Sequence, residues 1–324
     1  MPEILANIYR GDEIESIHFG DLVVCNSQGK ILFSQGNPEF KTYFRSSAKP
    51  FQVLPLIRTG AYQKYDFTLP ELSVMCASHS GESFHTETVQ KILDKIGLGI
   101  ENLKCGIHSP GHKPTLKKIR EAGTPITAIH NNCSGKHSGA LAFTVFNNWN
   151  TENYLEPNSN TQIEIKKILC EVTEEPKIST AVDGCSFPVF YLPLNKMALA
   201  FAKLAEHKTD DLRIVFEAMT KHPEFVAGTD RFDTQIMQMC PSKIVSKGGA
   251  EGIGCLGVSN GKDSFGIALK ISDGSSRAIP IVLAKVLHKF GALSDAQLNE
   301  WLNGDSGILK NHAGVEVGKI TPNF

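Results

Sequence analysis

Three short stretches of the chain set a hydroxyl or a glycine pair beside an amine, and each could carry acyl-transfer chemistry. In FRSSAKPFQ, Ser46 and Lys49 lie three residues apart where an extended stretch gives way to a helix. Residues at that spacing share a helix face. The amine could then take the serine proton, provided burial and neighbouring cations lower its pKa. The plainer alternative is a serine N-cap beside a surface lysine; of the two serines only Ser46 has the spacing to Lys49. ASHSGE (77–82) places Ser78, His79 and Ser80 ahead of a helix. These residues either line a pocket or form a capping box with Glu82 and Glu87. SKGGAEG (246–252) leads Lys247 into Gly248 and Gly249 at the start of a strand. Glycine lets a backbone approach a ligand and offer its N–H to an oxyanion. The alternative there is a bulge or bend in a sheet.

A fourth constellation is metallic in character. Cys133 in NNCSGKHSG and Cys185 in AVDGCSFPVF are glycine-flanked and about fifty residues apart. Two thiolates, a nitrogen ligand and a water suit Zn²⁺. His137 is the ordinary nitrogen choice. Lys136, three residues from Cys133, shares its face on a helix but must be neutral to ligate. A buried cysteine pair without metal is the competing reading.

The elements that must position these groups follow from pattern. Residues 16–36 read as two strands around a turn at Asn26–Gly29, and a helix opens at Ser46 and runs toward Arg58. A short buried helix, a Ser/Gly loop and a helix over 84–96 come next. The stretch 131–149 reads as a Gly-rich loop leading into an apolar helix; 158–172 and 196–220 carry helical spacing. Residues 242–274 read as three strands with Asn260-Gly261 as a hairpin turn, followed by an apolar helix. Two strands, a helical middle, three strands and a helix do not make a regular βαβ alternation. One antiparallel sheet joining the first hairpin to the last three strands, with helices on its faces, closes the pattern as a single domain over 1–324.

Bulk composition excludes several classes. Among 324 residues, 41% are apolar and 21% charged, with a formal net charge of -1. That is a globular balance without the basic footprint of a nucleic-acid binder. The basic helix face at 112–120 reads as solvated surface. No apolar run reaches the length of a membrane span, and the first residues lack a secretory leader pattern. A cytoplasmic protein is expected, with the eight cysteines mostly buried thiols and any special ones ligands.

S-x-x-K, a serine loop and K-G-G in that order resemble the serine β-lactamase and penicillin-binding-protein pattern. With HNNCSGKHSGAL, VDGCSFPVF and FVAGTDRFDT (225–234) added, residues 8 to 320 resemble the Rhizobium etli-type L-asparaginases, the asparaginase II family. The resemblance implies an α/β (α+β), β-lactamase-like fold, a homodimer, and hydrolysis of L-asparagine to L-aspartate and ammonia. It implies Ser46 with Lys49 and Ser78 with Lys247 as catalytic pairs, and Cys133, Lys136 and Cys185 as ligands of one zinc that organises the substrate pocket, with Asp183 beside it. It thus prefers Lys136 to His137. Arg45, Arg231, Glu82 and Asp183 are candidates for holding the substrate's charged ends, with His79 lining the pocket and Gly248 and Gly249 offering N–H groups. Which serine attacks stays open. The competing functions are another serine acyl hydrolase of this fold (a glutaminase, β-lactamase or DD-peptidase) and a non-catalytic zinc-binding protein.

Overall fold

Strands from both ends of the chain build the main sheet. The structure, a computed structural model, describes residues 1–260 and 263–324. Eleven strands occur among them: β1 Glu3–Arg10, β2 Glu13–Asn26, β3 Ile31–Gln35, β4 Lys41–Tyr43, β5 Ser179–Val182, β6 Pro188–Pro193, β7 Ile244–Gly249, β8 Ile253–Val258, β9 Phe265–Ile271, β10 Ile308–Lys310 and β11 Glu316–Pro322. The large sheet runs β10-β11-β1-β2-β9-β8-β7, with β3 also on β2, and its pairings are antiparallel. The long β2 serves two neighbours on one side: Glu13–Gly20 pairs with β1, and Leu22–Cys25 with β3. A second sheet, β4-β6-β5, stands apart.

The strands β8 and β9 are buried almost throughout, as strands covered on both faces are. Gly254 lies against Ile279 and Leu283, while Gly257 lies against Phe201 and Ala205. Residues three apart on a strand face opposite ways. The helices Ile279–Lys289 and Leu194–Glu206 therefore cover opposite faces, and nine of the thirteen residues of the latter are buried.

The expected antiparallel sheet flanked by helices is what forms, and β2 does join β9. Other details differ. The helix read from Ser46 to Arg58 is three pieces, Arg45–Ala48, Lys49–Gln52 and Leu54–Arg58. Pro50 and Pro55 each sit at a first turn, because a proline has no N–H to continue a helix through. The helical stretch 196–220 breaks at His207, which takes a φ of 40°. The glycines of CSGKHSG are not loop residues; they lie inside the helix Ser134–Phe146. β8 and β9 form the expected hairpin, but Gly261 of its turn lies outside the described residues. Strands β1, β10 and β11 and the small sheet were not legible from pattern.

Candidate active site

The sheet's free edge is where the chemistry gathers. β7 is the edge strand, and the Arg45–Ala48 turn packs on its end. Ser47 Oγ donates to the Lys247 carbonyl at 2.7 Å. Gly249 makes the approach feasible: a Cβ there would stand 3.1 Å from Arg45 Cβ and 3.3 Å from Ser47 Oγ. The S-x-x-K turn and the K-G-G strand, two hundred residues apart in sequence, are therefore in direct contact. Between them opens a cleft of about 450 Å³ lined by Ser46, Ser78, Asn132, Arg231, Asp233 and Lys247, with Gly248 and Gly249 on its wall.

Two buried lysines serve this cleft, each only 1% exposed. Neither makes an ion pair with a carboxylate among the described residues, which is rare for buried lysine and points to use. Lys49 Nζ donates to the Ala77 carbonyl, to Ser78 Oγ at 3.0 Å and to Cys133 Sγ at 3.2 Å. Lys247 Nζ donates to the Gly248 carbonyl at 2.6 Å. Burial, with Lys49 and Arg231 nearby, lowers Lys247 to about 7 against the pull of Asp233. A lysine at that value exchanges protons at neutral pH. Ser46 Oγ has no hydrogen-bond partner among the described residues and faces the cleft.

Behind Lys49 lies the thiol cluster. The helix Ser134–Phe146 carries it, packed hard against the helix Leu69–Met75. Gly135 allows this, since a Cβ there would fall 2.0 Å from the Val74 carbonyl oxygen. Lys136 Nζ donates to Cys185 Sγ at 3.0 Å and sits 4.0 Å from the centre of the Phe187 ring. Cys185 donates to Cys133 and, with Lys49 and Lys136, holds the Cys133 thiol well below its ordinary range although burial opposes this. Cys185 is pushed up in turn by that bond and by burial. Burial disfavours the Lys136 ammonium, yet Cys185 and Cys133 hold it on. Two sulfurs and an amine in mutual contact fit a borderline-soft divalent cation, which would displace the protons they share. Among the described residues no group of three or more His, Cys, Asp or Glu is arranged for a metal. His137 spends its Nδ1 on the Tyr154 hydroxyl at 2.6 Å, and its ring meets Phe187 edge-on at 5.3 Å between centroids.

The L-asparaginase II family model matches residues 6–322. The chain belongs to the L-asparaginase II family. Comparison with curated proteins gives no match. Among solved structures, a β-lactamase from Mycobacterium bovis is similar at 12% identity and a TM-score of 0.47, over 84% of this chain and 94% of that one. A Bacillus glutaminase is similar at 11% identity and a TM-score of 0.41, over 84% and 91%. Membership makes this an amidohydrolase acting on a small-molecule amide. No helix among the described residues is long and apolar enough to cross a membrane.

The remaining predicted residues of this L-asparaginase II member fall in three places. Arg231 is exposed at the cleft and forms no ion pair among the described residues. Arg45 and Asp183 lie beside the cleft and pair with each other at 3.0 Å. Arg45 also holds a left-handed φ of 50°, a strain of roughly 1 kcal/mol or more for a non-glycine residue.

His79 and Glu82 spend their polar atoms on local partners. Both His79 ring nitrogens are used inside the loop, Nε2 with Ser134 Oγ at 2.9 Å and Nδ1 accepting the Gly81 N–H. Burial, with His85 and Lys49 beside it, keeps that ring well below the usual histidine range and uncharged. Glu82 is buried and accepts from Ser80 Oγ, the Thr229 N–H and the Thr229 hydroxyl. Burial opposes its charge, but these bonds and His112 hold it below the usual carboxylate range. It clamps the loop that carries Arg231. The Gly248 N–H donates to Asp233 at 3.0 Å.

Among the cleft residues that escaped the sequence reading are Asn132 and Asp233. Both sit in quoted motifs, but only their tertiary position marks them. All eight cysteines are free thiols, seven of them buried.

Proposed function

We propose that this family member, of the Rhizobium etli type, hydrolyses L-asparagine to L-aspartate and ammonia through an acyl-serine intermediate. The observation that carries the reading is the opening of two serines and a near-neutral lysine onto one cleft. The substrate α-carboxylate goes to Arg231, the cleft arginine without an ion pair among the described residues. Ser46 Oγ attacks the side-chain amide carbon while its proton passes to the amine relay of Lys49, Ser78 and Lys247. The Ser46 backbone N–H stabilises the oxyanion. The relay then protonates the amide nitrogen, the C–N bond breaks and ammonia leaves. Water attacks the acyl ester by the reverse proton path, releasing aspartate and restoring Ser46.

Ammonia release from L-asparagine tests the activity. Ser46→Ala should lower the rate on the order of 10³-fold or more, several kcal/mol of transition-state stabilisation. A near-normal rate in that variant removes Ser46 as nucleophile. One observation favours the other assignment, with Ser78 attacking: Lys49 Nζ lies 3.0 Å from Ser78 Oγ. Mass spectrometry of an acid-quenched acyl-enzyme locates the adduct on one serine or the other.

Cys133, Cys185 and Lys136 are the residues that would hold zinc in this reading. When bound, zinc supplies a fixed positive centre behind the pocket wall, while the proton transfers stay with the serines and lysines. Elemental analysis of protein purified without chelator should give about one zinc per chain, and Cys133→Ser should reduce it to trace; unchanged zinc in that variant rejects the ligand set. A cytoplasmic homodimer completes the reading, and sedimentation velocity checks the oligomeric part.

A further inference from the structure

One buried anion in the cleft has no part in the relay just described. Asp233 lies in the first turn of the helix Phe232–Met239 and is 8% exposed. Its Oδ1 accepts the Ser246 hydroxyl at 2.5 Å and the Gly248 N–H at 3.1 Å, and its Oδ2 accepts the same N–H at 3.0 Å. It therefore grips the residues immediately before and after Lys247. Fixing both neighbours fixes the roll of an edge strand, and with it the direction of the side chain between them. The helix N-terminus supports the carboxylate charge.

We propose that Asp233 is a positioning residue for amide hydrolysis, orienting the Lys247 amine and tuning its basicity through the carboxylate facing it. The proposal rests on the catalytic reading above. Lys247 is faced by Lys49 from its helix, by Arg231 and Asp233 around the start of the helix Phe232–Met239, and by Cys133 ahead of the helix Ser134–Phe146. Cys76 and, on β8, Cys255 also face it, both thiols pushed up by burial. Of these groups Asp233 is the carboxylate. It offsets two cations that push the amine toward neutrality. Without it the amine sheds its proton at lower pH and becomes a weaker base, and the strand that aims it loses its tether.

The test is the pH profile of kcat/KM for L-asparagine in the wild type and in Asp233→Asn. The wild-type profile should rise through about pH 7. In Asp233→Asn the acid limb should move down by about one pH unit and kcat should fall about tenfold or more. KM should stay within about threefold, because Arg231 is untouched. An unmoved limb in a folded variant overturns the proposal. Asp233→Glu keeps the charge but lengthens the arm, so it should hold the wild-type limb and lose kcat; a displaced limb or a wild-type kcat overturns it equally, and this variant decides if Asp233→Asn does not fold. Competitive acetylation of lysines with acetic anhydride against pH, read by mass spectrometry, follows Lys247 without any turnover. If no ammonia appears from L-asparagine, the catalytic reading falls, while the acetylation midpoint still decides whether Asp233 tunes the lysine.

Discussion

Lys247 shows what the cleft costs the fold. An unfolded lysine keeps its proton to about pH 10, whereas burial lowers the folded one to about 7. Between those values the unfolded chain binds one more proton than the folded chain, so stability rises with pH across that window. Below pH 7 both states are protonated and the penalty for burying the charge is fully present, on the order of 4–5 kcal/mol. Lys247→Met removes the charge and keeps the bulk. At pH 6 it should raise the urea midpoint, and the gain should shrink toward pH 10. Ammonia release should be lost at every pH. A midpoint at pH 6 equal to or below the wild type would show that the fold satisfies this ammonium more fully than its bond to the Gly248 carbonyl suggests. Asp233 belongs to the same balance, and nothing in its local sequence announces it: an aspartate in the first turn of a helix is ordinary. The serines and lysines were legible because their types and spacing are uncommon together. Asp233 and Asn132 were not, because their role comes from what lies opposite them.

Among the elements, glycine contacts set the geometry. The helix Ser134–Phe146 brings Lys136, with Cys133 just ahead of it, behind Lys49, and it does so by lying against the helix Leu69–Met75 at Gly135. Gly135→Ala places a methyl 2.0 Å from a backbone oxygen. Backbone cannot rotate out of the way as a side chain can, so the helices must part. The expected loss is about 2–3 kcal/mol, the cost of overpacking a filled interior, read as a lower thermal midpoint together with reduced zinc content. An unchanged midpoint would mean that the helices slide past each other without strain. The same packing explains a misreading: two glycines and two serines looked like a loop because propensity favours that, and burial of the first eleven residues of the helix overrode it. Three of the missed strands have a different cause. β4, β5 and β10 are three to four residues long, and β5 is exposed along its whole length. Strands so short and so wet leave no alternation of apolar and polar residues to read. By contrast β2, β8 and β9 carry long apolar runs and were legible.

Across the whole molecule, the cleft is lined from residues 46, 78, 132, 231–233 and 247, with Lys49 and the thiol cluster behind it, and β1 pairs with β11 in the sheet that frames it. Loss of the N-terminal strand would open the sheet next to β2 and loss of β11 would bare β1, and β2 leads through β9 and β8 to the edge strand β7 that lines the cleft. Such an arrangement offers no sub-structure that holds an intact cleft by itself. Loss of ammonia release and loss of far-UV circular dichroism should then coincide along a urea titration, as a two-state unfolding requires. Activity that vanishes at clearly lower urea would locate a separately melting unit around the cleft. Chelation separates the thiol cluster from this behaviour. A zinc ion bound only by the folded chain adds RT ln(1 + [Zn]/Kd) to stability, so removing it should move both curves together to lower urea while keeping them superimposed. If chelator instead abolished activity and left the circular dichroism curve in place, the metal would be acting on the cleft alone, and Lys49, whose amine reaches both Ser78 and Cys133, would be the group that transmits its loss.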